Sequence, residues 1–113
     1  MVKQYPLKPQ RFEVWLINLD PTVGSEIKKT RPGLIISPDE INSNLNTIIV
    51  APLTTKSKNY PTRISLIFQK KSGFIVLEQL RTIDKSRLVK KLGQISHPTA
   101  KKTCEKIQEL FAF

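Results

Sequence analysis

The sequence predicts a small, curved antiparallel β-sheet or barrel that ends in one amphipathic helix. Short apolar runs recur along most of the chain and are separated by polar or proline-containing segments. From about residue 96 the apolar residues instead recur in steps of three and four, which is typical of a helix. Many short strands followed by one helix favour this mainly β architecture over alternating βαβ units. At 113 residues, we expect one domain spanning 1–113.

The first half of the chain contains three predicted strands. Residues 1–10 include two prolines and are expected to form an irregular lead-in. Residues 12–19 are rich in β-branched and aromatic side chains, and this run stops at Asp20-Pro21. Residues 34–37 and 47–53 are apolar runs of buried-strand length. Between them, residues 38–44 predict one or two helical turns with a proline in the first turn.

The second half predicts shorter strands and the helix. Residues 54–61 are polar and basic and predict an exposed loop, followed by strands at 62–68, 74–77, 81–83 and 93–95. Ser96 or His97, with Pro98, supplies a helix start. The apolar stripe expected to pack on the sheet consists of Ala100, Cys104, Ile107, Leu110 and Phe111.

The charge is strongly basic. The chain has 19 Lys+Arg against 9 Asp+Glu, a net charge of +10, which favours an anionic partner and nucleic acid above all. No apolar run approaches the roughly 20 residues that span a bilayer, and the N-terminus has no signal-peptide core. One cysteine cannot form an internal disulfide. We therefore expect a cytoplasmic protein without a membrane partner.

Several kinds of chemistry are disfavoured by residues the chain lacks. One His and one Cys leave no cluster with zinc spacing, and no glycine-rich phosphate loop is present, so we expect neither metal nor cofactor. A two-histidine ribonuclease mechanism is impossible within one chain. We interpret His97 as a residue of the helix start rather than a catalytic group, and Cys104 and Trp15 as core.

Polar loop residues remain as candidates for catalysis. The stretch GSEIKKTRPG (24–33) places Glu26 beside several cations including Arg31. A carboxylate can accept a proton and a guanidinium can fork onto two phosphate oxygens, while the hydroxyls of Thr54 and Thr55 can position a phosphate. This set suits cleavage of a phosphodiester without metal. Spacing alone does not separate such a site from a solvated charged turn.

Four motifs resemble those of the MazF/PemK family of toxin endoribonucleases. They are DPTVGSE (20–26), TRP (30–32), APLTTK (51–56) and LEQLRTIDKSRL (77–88), and they follow family order from about residue 11 to the C-terminus. The resemblance implies an SH3-like barrel with a C-terminal helix and a homodimer. It also implies metal-independent, sequence-specific cleavage of single-stranded mRNA, and neutralisation by a cognate antitoxin.

The resemblance also assigns catalytic residues. Arg31 and Thr54 match the family's principal active-site positions, and Glu26 matches its GSE carboxylate. The implied reaction is attack by the ribose 2′-OH on the adjacent phosphorus, leaving a 2′,3′-cyclic phosphate. Because a guanidinium with a pKa above about 12 releases its proton reluctantly, we interpret Arg31 as an electrostatic clamp on the phosphate.

Further residues are expected to bind RNA. They are Lys28, Lys29, Thr55, Lys56, Glu78, Gln79 and Arg81. Glu78 stands where many members have Asp and either replaces it or reads bases. For Asp84 and Arg87, RNA contact and an ion pair of Asp84 with Arg81 or Arg87 remain alternatives.

The sequence departs from the family pattern at several positions, and two other functions are compatible with its composition. Lys28 and Lys29 occupy positions where some members have glycine, and Phe12 stands where the family commonly has Gly. A non-catalytic toxin that inhibits a protein such as a topoisomerase, or a basic RNA-binding module, fits the same composition.

Overall fold

The computed structural model describes residues 8–113, which form one curled antiparallel sheet and two α-helices. The strands are β1 (Glu13–Asn18), β2 (Thr30–Ile35), β3 (Thr47–Thr54), β4 (Arg63–Phe68), β5 (Lys71–Val76), β6 (Arg81–Asp84) and β7 (Leu88–Gln94). The helices are α1 (Asp39–Asn44) and α2 (His97–Leu110), and short 3-10 turns occupy Leu77–Gln79 and Lys85–Arg87. The lead-in predicted over 1–10 lies mostly outside the described residues.

The sheet curls because β3 pairs with three strands in succession. Its first half pairs with β6, its middle with β2, and its last two residues, Leu53 and Thr54, with β5. The strand order is β4-β5-β3-β2-β1-β7, with β6 also on β3. A strand shared in this way bends the sheet into a half-barrel. The predicted fold, a small SH3-like barrel of antiparallel strands with a terminal helix, is confirmed.

Both faces of the curled sheet are covered by apolar side chains. Val14 and Leu34 belong to one core cluster, whereas Trp15 and Ile35, their neighbours along the strands, belong to another. Burial on both faces explains why the strands appear in the sequence as continuous apolar runs rather than alternating ones. Trp15 is core, as predicted, and its indole Nε1 donates to the buried carboxylate of Glu13 at 2.9 Å.

Helix α2 begins as the sequence predicts. The Ser96 hydroxyl accepts the Thr99 N–H at 3.3 Å and caps the helix, and His97 is an exposed residue of its first turn. None of the helices in the described part of the chain has the length and apolar character needed to cross a membrane.

The apolar stripe of α2 is only partly as predicted. Ala100 is buried, but Phe111 caps the C-terminus and is 67% exposed, because the helix ends before this residue can reach the sheet. Cys104 is half-buried rather than core, and its sulfur lies 3.6 Å from the Arg11 guanidinium. Thr103 is fully buried instead. Its hydroxyl donates to the Thr99 carbonyl within the helix, so its burial leaves no polar group unpaired.

Three predicted strands differ at their starts. Strand β2 starts at Thr30 rather than residue 34, so the TRP motif lies in a strand and not in the predicted loop. Pro32 is tolerated there because the pairing of β2 with β3 extends only from Gly33 to Ile35. Strand β5 likewise starts earlier than predicted, at the exposed Lys71, which carries no apolar signal. Strand β7 starts at the buried Leu88, where two lysines interrupt the apolar pattern after Val89.

Candidate active site

Arg31 and Thr54 come together at one end of the β2–β3 ladder. The register pairs Gly33 with Pro52 and Leu34 with Ala51, and its outward continuation sets Arg31 across from Thr54. Both residues line a surface depression, here called the Arg31 depression, whose wall also includes the β4–β5 turn. Its lining includes Arg31, Pro32, Leu53, Thr54, Thr55 and Phe68. Two residues that are 23 positions apart in the sequence therefore meet in space.

The Arg31 guanidinium is held by one edge and is free at the other. Its Nε donates to the Lys28 carbonyl at 2.9 Å. Its two terminal nitrogens have no hydrogen-bond partner within residues 8–113. A half-buried guanidinium fixed through Nε presents two terminal N–H groups in the fork geometry that matches two phosphate oxygens.

The hydroxyl of Thr54 is oriented by its own loop. Its Oγ1 accepts the Lys56 N–H at 3.2 Å and the hydroxyl donates to the Lys56 carbonyl at 3.3 Å, which closes a local turn after β3. Thr55 and Lys56 follow on the exposed part of this loop. Thr54 and Thr55 therefore line the depression on the side of the β3–β4 loop.

Glu26 lies apart from this pair. Its Oε1 accepts the Val23 N–H at 2.7 Å, and its own N–H donates to the Val23 carbonyl at 3.2 Å, so the residue closes a tight turn. Glu26 lines a second depression, here called the Gln79 depression. This depression is lined by Leu19, Glu26, Ile27, Pro52, Glu78, Gln79, Leu80 and Arg81. In this conformation the structure does not bring Glu26 into the Arg31 depression, and its catalytic role stays a prediction.

Glu78 is occupied by protein partners. Its Oε1 accepts from the Thr62 hydroxyl at 2.7 Å, and its Oε2 accepts from the Nε of Arg63 at 2.9 Å and also from a terminal nitrogen of Arg63. Burial by itself raises the pKa of Glu78, but the hydrogen bonds from Arg63 and Thr62 outweigh it, so the pKa lies below its ordinary value. The hydrogen bond to Glu78 in turn raises the pKa of Arg63.

Arg63 is the residue of this region that sequence reasoning missed. Besides Glu78, it donates to the Ser57 hydroxyl at 2.6 Å and stacks on the Tyr60 ring with 4.7 Å between guanidinium carbon and ring centroid. It therefore ties the β3–β4 loop to the 3-10 turn Leu77–Gln79. No local motif marks Arg63, because its acidic partner, Glu78, is brought close only by the pairing of β4 with β5.

Gln79 and Arg81 hold the β1–β2 loop. The Gln79 Oε1 accepts the Ile27 N–H at 2.7 Å, and Arg81 donates to the Leu19 carbonyl at 3.0 Å. Both still line the Gln79 depression. Their predicted contact with RNA stays a prediction, alongside these structural contacts.

The alternative in which Asp84 forms an ion pair with Arg81 or Arg87 is not observed. Asp84 Oδ1 accepts the Ser86 N–H at 2.8 Å and caps a 3-10 turn, and this hydrogen bond lowers the pKa of Asp84. Arg87 instead donates to the carbonyls of Asn18 and Asp20. The two arginines point to backbone oxygens of the β1–β2 connection, and sequence spacing does not reveal such partners.

The predicted RNA-binding lysines surround the site on exposed loops. Lys28 and Lys29 lie between Glu26 and β2, and Lys56 follows Thr54. The backbone of Lys29 is anchored, since its N–H donates to Asp20 Oδ1 at 3.0 Å. Within residues 8–113, no group of three or more His, Cys, Asp or Glu side chains is placed to hold a metal ion.

Comparison with known families identifies the chain. A family model described as the PemK-like, MazF-like toxin of type II toxin-antitoxin systems matches residues 10–111. An Endoribonuclease MazF of Staphylococcus saprophyticus is 39% identical over 93 residues, covering 77% of this chain and 78% of that protein. The chain belongs to this toxin family.

Solved structures of the PemK/MazF-like family have the same fold. A MazF of Deinococcus radiodurans superposes with a TM-score of 0.84 at 24% identity, covering 95% of this chain and 99% of that one. A mycobacterial endoribonuclease in complex with its cognate antitoxin gives a TM-score of 0.76 at 22% identity, covering 89% and 92%. The half-barrel with one terminal helix is therefore the family architecture.

Two departures from the PemK/MazF-like pattern fall on unusual backbone. Phe12 has φ 72° and Lys29 has φ 71°, in the left-handed region that favours glycine. Glycine adopts this conformation without strain, whereas this chain adopts it with a side chain present. At Phe12 the ring packs against the core, and the Arg11 guanidinium lies 4.9 Å above it.

Proposed function

We propose that this protein cleaves single-stranded RNA at a short sequence without a metal ion, as the toxin of a toxin–antitoxin pair. The broad class, an endoribonuclease toxin, follows from membership of the PemK/MazF-like family. The observation that carries the finer proposal is the Arg31 depression. There the free terminal nitrogens of Arg31 face the same space as the anchored hydroxyl of Thr54.

The proposed reaction transfers the phosphoryl group within the RNA. The ribose 2′-oxygen attacks the adjacent phosphorus, the bond from phosphorus to the 5′-oxygen breaks, and a 2′,3′-cyclic phosphate forms. The proton of the 2′-OH passes to a base, and the departing 5′-oxygen takes a proton from solvent. Arg31 holds two non-bridging oxygens and stabilises the transition state more than the ground state, because the negative charge on these oxygens grows there. The Thr54 hydroxyl rotates its one hydrogen from the Lys56 carbonyl to the same phosphate.

Glu26 is the proposed proton acceptor. Only its Oε1 is used within the described residues, so its second oxygen retains acceptor capacity. Because Glu26 lies on the Gln79 depression while the 2′-OH lies beside the phosphate held by Arg31, the loop that carries Glu26 must move toward the Arg31 depression for its carboxylate to reach that hydroxyl. A carboxylate within about 3 Å of the hydroxyl is required for general-base catalysis.

Electrostatics supports a polyanionic substrate. The exposed Lys28, Lys29 and Lys56 lie on loops beside the two depressions, within a chain of net charge +10. Each phosphate that a lysine or arginine neutralises releases counterions. For single strands, the logarithm of the binding constant therefore falls with the logarithm of the salt concentration, with a slope of about −0.7 per phosphate contact. Binding and cleavage are therefore strongly salt-dependent.

The proposed partners are a second copy of the chain and an antitoxin, in the cytoplasm. A mycobacterial family member is solved with its cognate antitoxin, and a MazE–MazF complex is known from Deinococcus radiodurans. For this chain, an acidic or amphipathic antitoxin segment crosses the basic loops and blocks RNA. Competition tests this: antitoxin and a non-cleavable RNA must weaken each other's binding.

The test of the reaction is cleavage of a long single-stranded RNA in excess EDTA, with the new ends mapped by sequencing. Discrete cuts that end in a cyclic phosphate, and that are lost in Arg31→Ala, support the proposal. Val89→Ala is the control, because Val89 is an exposed residue of β7 that lines neither depression. Intact RNA favours a non-catalytic toxin such as a topoisomerase inhibitor, and retained but uncut RNA favours a binding module.

A further inference from the structure

The Arg31 depression has an apolar floor that a phosphate clamp does not need. Leu53, Leu66, Phe68 and Pro32 line it together with Arg31, and the depression has a volume of about 190 Å³. Leu66 and Phe68 are half-buried, so each offers an apolar surface to the opening. A phosphate has no use for such a surface, whereas the face of a nucleobase stacks favourably on aromatic and apolar side chains.

The wall of the depression is a rigid two-residue turn. Phe68 pairs with Lys71, and the two residues between them, Gln69 and Lys70, have φ values of 52° and 67°. Two positive φ values in a two-residue hairpin loop are typical of a type I′ turn, which fixes the direction of both side chains. Gln69 lines the depression, whereas Lys70 does not.

The amide of Gln69 is held in one orientation. Its Nε2 donates to the Leu92 carbonyl of β7 at 3.0 Å. Its Oε1 has no hydrogen-bond partner within residues 8–113. Rotating the amide by half a turn would bring two carbonyl oxygens together, so the acceptor stays free and one hydrogen of Nε2 remains available.

We infer that the Arg31 depression binds the nucleobase next to the scissile phosphate, with Leu66 and Phe68 against its face and the Gln69 amide on its edge. This rests on the proposed RNA cleavage. An edge that offers an amino group beside a ring nitrogen complements a fixed amide oxygen and N–H. Adenine and cytosine have such a Watson–Crick edge, whereas uracil and guanine present a carbonyl oxygen beside a ring N–H there. Gln69 is therefore a specificity-determining residue.

The first test compares two variants of the same turn. Gln69→Gly and Lys70→Gly both relax a positive φ, but only the first removes a group from the depression. Each protein cleaves a pool of randomised RNA, and the cut sites are sequenced. We expect the wild type and Lys70→Gly to prefer adenine or cytosine at one nucleotide beside the cut. Gln69→Gly should lose about tenfold of that preference, the scale of one bidentate base contact.

The second test removes the base rather than the side chain. An oligoribonucleotide with an abasic ribose at the preferred position keeps the 2′-OH and the phosphate. Wild-type cleavage of it should fall about tenfold or more in kcat/KM, the scale of one stacked base. In Leu66→Ala the penalty for base deletion should be smaller, because part of the stacking surface is already gone.

Failure of the inference and failure of the proposed function look different. If the wild type cleaves RNA but Gln69→Gly keeps its base preference, or the abasic penalty is equal in Leu66→Ala, the base site is wrong and the nuclease stands. If the wild type leaves every RNA intact, the proposed function fails and the inference with it.

Discussion

Gly73 keeps β5 close to the backbone of Thr54, which makes Gly73→Ala a test of how the site is positioned. A Cβ at residue 73 would lie 2.8 Å from the Thr54 carbonyl oxygen, whereas ordinary contacts begin at 3.4 Å. The two strands must therefore separate by about 0.6 Å, the difference between these distances. The obstacle is backbone, so no side-chain rotation relieves it. Thr54 itself has to move relative to Arg31.

The expected loss is mainly in rate. A displacement of about 1 Å at a reacting group can cost on the order of a hundredfold, so about 0.6 Å should lower kcat roughly tenfold. Overpacking should also lower the free energy of unfolding by about 1–3 kcal/mol. The assay measures kcat on a short RNA that contains one mapped cut site, and thermal unfolding of the same sample.

Gly33→Ala is the matched control. Its Cβ would lie 2.6 Å from Ile17 Cδ1, the movable end of a side chain, and 3.6 Å from the nearest backbone oxygen. This variant should lose comparable stability while keeping most of its rate, because Ile17 can yield without displacing Arg31 or Thr54. If Gly73→Ala kept the full rate, or both variants lost it equally, positioning through β5 would be refuted.

Three further predictions concern Phe12, Glu78 and Arg31. Phe12→Gly should be more stable than Phe12→Ala by about 1 kcal/mol in thermal unfolding, because both lose the ring but only Gly relieves a φ of 72°; a more stable Ala variant would contradict the strain. Glu78→Gln should lower the free energy of unfolding at pH 7 by about 1 kcal/mol, since Glu78 is two-thirds buried against Arg63. Because the folded pKa of Glu78 is lowered, that stabilisation is complete above the pKa of the unfolded state and disappears as the pH falls through the folded pKa, so a difference from wild type that persisted at pH 2 would contradict the pairing. Arg31→Ala should lose about a hundredfold in rate while Arg31→Lys keeps part of it with an unchanged pH profile through neutrality; a faster Lys variant with a new alkaline limb near pH 10 would identify Arg31 as a proton donor instead.

Apolar patterning predicted the strands whose apolar runs are continuous and failed where polar residues interrupt or precede them. Residues 12–19 and 47–53 enclose β1 and most of β3 because both faces of these strands are covered. Thr30 is exposed and Arg31 is half-buried, so no apolar residue in the sequence marks the start of β2. These two residues are held in the strand by pairing with β1, which depends on residues elsewhere in the sequence.

The same limit applies to the candidate site. Arg31 and Thr54 were found through motifs, and the register explains why they meet. Arg63 was missed because its contacts to Glu78 span 15 positions of sequence across two strands. The alternative ion pair of Asp84 is not formed for the opposite reason, because the nearby Ser86 N–H donates to the Asp84 carboxylate. The charged residues of the sequence therefore indicated where the candidate site lies, but not which side chains pair with each other.

One short turn connects the two loops that border the site. In the 3-10 turn Leu77–Gln79, Glu78 binds Arg63, which reaches Ser57 of the β3–β4 loop, and Gln79 accepts the N–H of Ile27 in the β1–β2 loop. Adjacent residues thus fix the loop that follows Thr54 and the loop that carries Glu26. Because both attachments share one backbone segment, a movement of that turn shifts both loops together.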